Sequence, residues 1–263
     1  MLKSWNLHIW WPLCAAVRLL SRFPFPEPGA WSGVVQGRAV AFYPLVGMAI
    51  GLLMVLPMSW LGTQAPALGA AVATLIWVWL TGGLHLDGVA DSADAWMGGL
   101  GNRERTLEIM KDPHTGPAGV VSLVLVLLLK FAALHTLLQL QMPLWIVVFT
   151  PMLARLAVGL LFLTTPYVST QGMAQDTAAH LPRYWIWLLV GLGWFYPLFF
   201  FDPWLAMPMQ ASALMLWFVM WIRTLNRLGG FTGDVAGALV EWSEVVMLVT
   251  VTGVVASGWL PEG

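Results

Sequence analysis

Three aspartates, Asp87, Asp91 and Asp94, share the stretch GGLHLDGVADSADAWMGG (82–99). On a helix their spacing of i, i+4 and i+7 turns all three carboxylates to one face, where like charges repel. The repulsion grows as the surrounding dielectric falls. A bound divalent cation relieves it, and an all-oxygen carboxylate set suits Mg2+, Mn2+ or Ca2+ rather than zinc. The competing reading is a solvated loop in which two of the aspartates cap helices. Gly82, Gly83, Gly88, Gly98 and Gly99 weigh against it, because they let a backbone or a ligand approach closely.

A second acidic stretch, RTLNRLGGFTGDVAGALVEWSE (223–244), places Asp234 and Glu241 seven apart and Glu244 three further on, again along one side of a helix. Ionisable groups inside a span are costly and usually face a site. Two such helices face to face would clamp metal between them. Between the stretches, GNRERTLEIMKDPHTGPAG (101–119) gathers Arg103, Arg105 and Lys111 beside Asp112 and His114. Carboxylates for Mg2+ next to cations point to a phosphate-rich substrate, although membrane topology alone also puts Arg103 and Arg105 there. His85 and His114 adjoin the acidic segments, within reach of a phosphate or a hydroxyl. His8, His135 and His180 have no partner pattern, and nothing resembles a zinc motif, a P-loop or a nucleophile elbow.

These side chains must be positioned by a membrane. The 263 residues are 59% hydrophobic and 10% charged, include 17 Trp, and have a mean hydropathy of +0.77. That leaves too little polar surface for a soluble globule. About 20 apolar residues cross a bilayer as a helix. The uncharged run Ala39–Leu86, turning at Gly62-Thr63-Gln64, reads as two spans; others fit 117–139, 143–163, 184–201, 205–225 and 236–258. The fold class expected is therefore all-α: a polytopic membrane helix bundle of about seven transmembrane helices, six as the alternative, in a single catalytic domain over 1–263. A short N-terminal interfacial or partly inserted helix precedes them, since Arg18 and Arg22 interrupt what otherwise resembles a signal peptide. Lys3, Arg18, Arg22, Arg38, Arg103, Arg105, Lys111, Arg183, Arg223 and Arg227 fall on one side, which the positive-inside rule makes cytoplasmic. The N-terminus is then cytoplasmic and the C-terminus periplasmic. Lys130 and Arg155, within spans, pair with an acid across the bundle or snorkel. Cys14 reads as a small buried residue. The net charge of −1 and the lack of a basic, aromatic-laced tract give no sign of nucleic acid.

Read in order, SRFPFP (21–26), GGLHLDGVADSADAW (82–96), IMKDPHTGPAGV (109–120), LARLAV (153–158), TPYVSTQGMA (165–174) and LGGFTGDVAGALVEWSE (228–244) resemble the motifs of one family. It is the membrane cobalamin synthases, the adenosylcobinamide-GDP ribazoletransferases. The resemblance implies a late step of vitamin B12 assembly in a bacterial inner membrane. Adenosylcobinamide-GDP reacts with α-ribazole or its 5′-phosphate, with Mg2+, to give adenosylcobalamin or its phosphate and GMP. It adds Arg22 to His85, Arg103, Arg105, Lys111 and His114 as substrate-binding residues. The Asp87-Gly88-Val89-Ala90-Asp91 run is also similar to CDP-alcohol phosphotransferases, but it departs from their Asp-Gly-x-x-Ala-Arg, so that likeness covers chemistry and assigns no ligand.

On this reading a ribazole hydroxyl attacks the cobinamide-side phosphorus and GMP leaves. Metal on Asp87, Asp91, Asp94 and Asp234 neutralises the growing charge. Glu241 is the first choice for the base and Glu244 the second. Arg103, Arg105 and Lys111 are candidates for the guanosine-side phosphate. The long connection 164–183 is expected to cover the corrinoid or nucleotide. Association with a second copy or with other cobalamin-assembly enzymes is left open. The rivals are a secondary transporter of divalent cations, weakened by the gathering of acids at one face, and a phospholipid-head-group phosphotransferase.

Overall fold

The computed structural model describes residues 6–29, 31–169 and 174–258; Lys3 and residues 170–173 of the expected cover lie outside them. Twelve α-helices follow one another among the described residues: α1 Trp11–Leu20, α2 Gly33–Ala39, α3 Tyr43–Leu61, α4 Pro66–Thr81, α5 Leu84–Gly98 and α6 Arg103–Ile109. Then come α7 Pro117–Gln139, α8 Trp145–Thr164, α9 Ala174–Ala179, α10 Arg183–Phe200, α11 Pro203–Leu228 and α12 Gly233–Ala256. Pro66, Pro117 and Pro203 open α4, α7 and α11, where the missing N–H would have had no helical partner. Ser32, Asn102, Asp202 and Thr232 accept from the first-turn amides of α2, α6, α11 and α12, the usual N-cap chemistry.

The last helix organises the rest. α12 packs against α5, α7, α8 and α11, while α3 lies along α8 and α4. Its two sides are lined by buried Val240, Val245, Leu248 and Val251. Outward, Leu56, Leu75 and Phe199 are 63%, 67% and 79% exposed, an apolar surface that only lipid removes from water. α1 is the expected short N-terminal helix. It packs on α2 and α3 with Cys14, Ala15, Ala16 and Leu20 buried, which agrees with the apolar reading of Cys14.

Among the described residues, five helical segments are long and apolar enough to cross a membrane: 33–61, α7, α8, α11 and α12. A sixth exists only if α4 and α5 count as one broken span, because they meet at 87°. Two of the seven expected spans therefore change. The second half of the uncharged run stops at Thr81, where Gly82 and Gly83 adopt φ of 63° and 73°, a left-handed pair that glycine enters without steric cost. The expected 184–201 span forms α10, but Arg183, Pro197, two Tyr and three Trp lower its apolarity, and it is not among the five.

The corner sends α5 across the end of the bundle, against α12. Gly88 makes their contact: a Cβ there would sit 2.6 Å from the Asp234 carbonyl oxygen and 3.1 Å from its Cα. Gly88→Leu is expected to part the two helices and cost about 1–3 kcal/mol, read as a lower melting temperature in detergent. A parental melting curve with full activity would refute this contact.

Candidate active site

Asp87 lies in the first turn of α5 and Asp234 in the first turn of α12, where the helix dipole favours a carboxylate. The Thr232 hydroxyl caps α12 and donates to Asp234 Oδ2 at 3.4 Å. The preceding residue is pinned from the far side of the chain. Phe231 N–H donates to the Pro166 carbonyl and Val168 N–H to the Phe231 carbonyl, both at 3.0 Å. Phe162 and Tyr167 meet the Phe231 ring edge-on at 5.0 and 5.3 Å. The start of the 164–183 connection is thereby fixed beside Asp234. Burial pushes the Tyr167 phenol above its usual range, so it stands there as a neutral hydroxyl.

Two cavities meet at Asp234. One, of about 280 Å3, has mostly apolar walls from α1, α2, α3, α8 and α12, and a polar end formed by His85, Asp87, Arg155 and Asp234. The other, of about 370 Å3, is lined by Arg103, Lys111, Ser169 and Asp234. Tyr167 and Gly233 border both. A wider groove of about 750 Å3 lies between α5, α7, α11 and α12, with no carboxylate in its wall.

Of the expected ligands, Asp87 and Asp234 face the same cavity, and the charges of Asp87, Asp94 and Asp234 all bear on Asp91. None of the four forms an ion pair among the described residues. Asp94 also has structural work: its oxygens accept the Gly116 and Gly119 amides at 2.7 and 2.9 Å, capping α7 from another helix. Asp94→Ala is expected to cost about 0.5–2 kcal/mol, and a melting temperature equal to the parent's would show the cap to be idle.

The donor set fits Mg2+ in its chemistry: carboxylate oxygens, uncompensated by cations, on two touching helices. Among the described residues no three His, Cys, Asp or Glu side chains are already gathered into a ligand group. The expected group of Asp87, Asp91, Asp94 and Asp234 is therefore not preassembled, and Mg2+ there would need oxygens beyond these side chains.

Glu241 and Glu244 do not suit the role of base. They are 2% and 0% exposed and line none of the three cavities. Lys130 Nζ donates to Glu241 Oε2 at 2.6 Å and Glu244 Oε2 at 2.5 Å, and sits 4.1 Å from the Trp77 ring centroid. Arg155 pairs with Glu244 and donates to the Pro151 carbonyl. Glu241 stands seven residues beyond Asp234, about 10 Å along the helix. The expected pairing of Lys130 and Arg155 with acids across the bundle is what the structure contains, and it consumes both glutamates.

The cations divide similarly. Arg103 and Lys111 line the second cavity, Arg103 held by its Nε–H to the Leu228 carbonyl at 2.9 Å. Arg105 turns to Glu108 at 2.8 Å. Exposed His114 donates its backbone amide to Asp112 at 3.0 Å and sets its ring Nδ1 2.7 Å from the same oxygen, holding that carboxyl below the usual range. Arg22 packs around the Gly82 corner, its amide donating to the Leu80 carbonyl at 2.7 Å. Arg22, Arg105 and His114 line none of these three cavities. Gln36, Trp31 and Tyr43, which do line the apolar cavity, carry no sequence signal: they surround the first span with no spacing that marks them. Arg155, singled out in the sequence as an ionisable residue within a span, reaches the wall of the apolar cavity; Tyr167 could have been found through the TPYVSTQGMA motif.

Fold and site define a polytopic, all-α membrane protein with a polar site at one end of its bundle. The cobalamin-5-phosphate synthase family model matches residues 12–252, and the chain belongs to that family. The adenosylcobinamide-GDP ribazoletransferase of Pseudomonas aeruginosa is 48% identical over 243 residues, covering 90% of this chain and 96% of its own. That of Pseudomonas paraeruginosa is 47% identical over 246 residues, with 90% and 96% covered. That of Acinetobacter baumannii is 40% identical over 240 residues, with 91% and 96% covered. No solved structure matches the chain significantly.

Proposed function

We propose that the protein transfers the adenosylcobinamide phosphoryl group from adenosylcobinamide-GDP to α-ribazole or its 5′-phosphate, releasing GMP, the step that closes the nucleotide loop of cobalamin. The observation that carries the site is a single cavity lined by Arg103, Lys111 and Asp234 together. Cations there bind the phosphates of the guanosine side, and the phosphorus to be attacked lies toward Asp234. Asp87, Asp91 and Asp234 are the residues that would hold Mg2+, whose chemistry there is to neutralise diphosphate charge during in-line displacement. The proton of the attacking hydroxyl goes to Asp87 or Asp234, the carboxylates at the cavity, in place of Glu241 and Glu244.

The assay is GMP release from adenosylcobinamide-GDP by the protein in detergent. Release is expected to require ribazole, to stop with EDTA and to return with Mg2+. Release indifferent to EDTA would remove the metal from this reading, and no release at all would remove the transferase. Cation uptake by proteoliposomes without GMP release would favour the transporter.

The same reading sets the site on the cytoplasmic face of a bacterial inner membrane. Arg227 reaches the Trp96 carbonyl and Thr106, Arg103 reaches Leu228, and Arg183 reaches the Leu163 carbonyl, so basic residues gather at the acidic end. The turns at 62–65, 140–144 and 201–202 hold none. α12 leaves the site at Asp234 and runs 24 residues, about 36 Å, so a cytoplasmic site carries its far end to the periplasm. An alkaline phosphatase fused after α12 is expected to be active; activity only for a reporter that works in the cytoplasm would reverse the orientation.

A further inference from the structure

The apolar cavity holds three buried polar side chains whose hydrogen-bonding capacity the protein leaves unused. His85, Gln36 and Arg155 are 4%, 7% and 1% exposed, and all three line it. His85 Nδ1, Gln36 Oε1, and Arg155 Nε and Nη2 have no hydrogen-bond partner among the described residues. Buried polar atoms are almost always satisfied, and leaving one bare costs about 1–3 kcal/mol. The neighbours are not accidental. Gln36 is oriented by its Nε2, which donates to the Trp31 carbonyl at 3.0 Å, so the oxygen is what remains for a ligand. Arg155 is anchored through Nη1 on Glu244 and Pro151, and Glu244 is anchored in turn by Lys130. The ionic cluster thus holds two guanidinium nitrogens, Nε and Nη2, at the cavity wall.

We propose that this cavity is the acceptor site, and that it takes the flat bicyclic aromatic base of ribazole with the ribose hydroxyls directed at Asp87 and Asp234; the proposal rests on the transferase reading above. Three properties select that ligand. At about 280 Å3 the space is near the lower end of small-molecule pockets, about 300–1,000 Å3, which suits a nucleoside and excludes a corrin macrocycle. Walls contributed by Trp31, Tyr43, Phe162 and Tyr167 offer ring faces and edges to an aromatic base. The unused donors of Arg155 match the bare ring nitrogen of a benzimidazole or an acceptor oxygen, and Gln36 Oε1 matches a hydroxyl. The geometry also separates the two substrates. Donor phosphates enter through the basic cavity and acceptor through the apolar one, so that nucleophile and leaving group approach Asp234 from different sides, as an in-line displacement needs.

The test uses the whole protein in detergent. Val158→Phe fills the cavity from α8, and Gln36→Leu removes one polar partner; Val158 and Gln36 line only the apolar cavity. Each is expected to raise KM for ribazole by at least about tenfold and leave KM for adenosylcobinamide-GDP unchanged. Lys111→Ala is expected to do the reverse. A rise in donor KM for the cavity variants, or an unchanged ribazole KM, overturns the assignment. If Val158→Phe does not fold, Gln36→Leu decides alone. Equilibrium dialysis of ribazole without donor separates this proposal from the reading it rests on. Binding by the parent and not by the variants supports the pocket even where no GMP is released, and ribazole binding equal in parent and variants overturns it even where GMP is released.

Discussion

Asp234→Asn, purified in detergent and melting like the parent, is expected to lose about a thousandfold in the rate of GMP release. The substitution is nearly isosteric. The hydrogen bond from Thr232 and the seat of Gly88 on the Asp234 backbone survive, so what disappears is one negative charge. That charge occupies the junction of both cavities and forms no ion pair among the described residues. Asp87→Asn should fall by a similar factor, and the double variant should lose little more, because groups that hold one metal and one diphosphate act as a unit. The Mg2+ concentration for half-maximal rate should rise in each single variant. Either variant turning over at the parental rate with an unchanged Mg2+ titration would falsify the site.

Lys130→Met is the change expected to cost most stability. Its ammonium serves two buried carboxylates at 2.6 and 2.5 Å, and its removal leaves Glu241 and Glu244 to share Arg155. Stranding a buried charge costs about 3–5 kcal/mol, several degrees or more in thermal melting. The double change Lys130→Met with Glu241→Gln restores charge balance, one arginine against one glutamate, and is expected to recover most of that loss. A single variant that melts like the parent but releases no GMP would instead make Lys130 a participant in the reaction.

The membrane class, the helical content, the two acidic segments and the pairing of Lys130 and Arg155 with acids all follow from composition and periodicity, because a bilayer admits so few ways to bury a backbone and a charge. What spacing leaves undecided is what each acid is for. Asp87, Asp91 and Asp94 look equivalent along the chain, yet only the fold of 116–119 against α5 gives Asp94 two amides to cap. Glu241 and Glu244 share a helix with Asp234 but line no cavity, although Val240 beside them lines one and Trp242 another; their face of α12 is the one that Lys130 reaches from α7. The basic run divides in the same way: Arg103 and Lys111 turn into the site and Arg105 turns away.

Helical periodicity is a local property, set by covalent geometry within a few residues, so the sequence by itself determined that these segments are helical and which charges share a helix face, but not where the run through Thr81 breaks. Cavities belong to no element. The 87° turn at Gly82-Gly83, the close approach at Gly88 and the bridge from Pro166 and Val168 to Phe231 join segments far apart in the chain, and only the tertiary structure decided that they enclose Asp234. A buried charge reports its cost in the sequence, while its partner is whichever side chain packing happens to bring within hydrogen-bond reach.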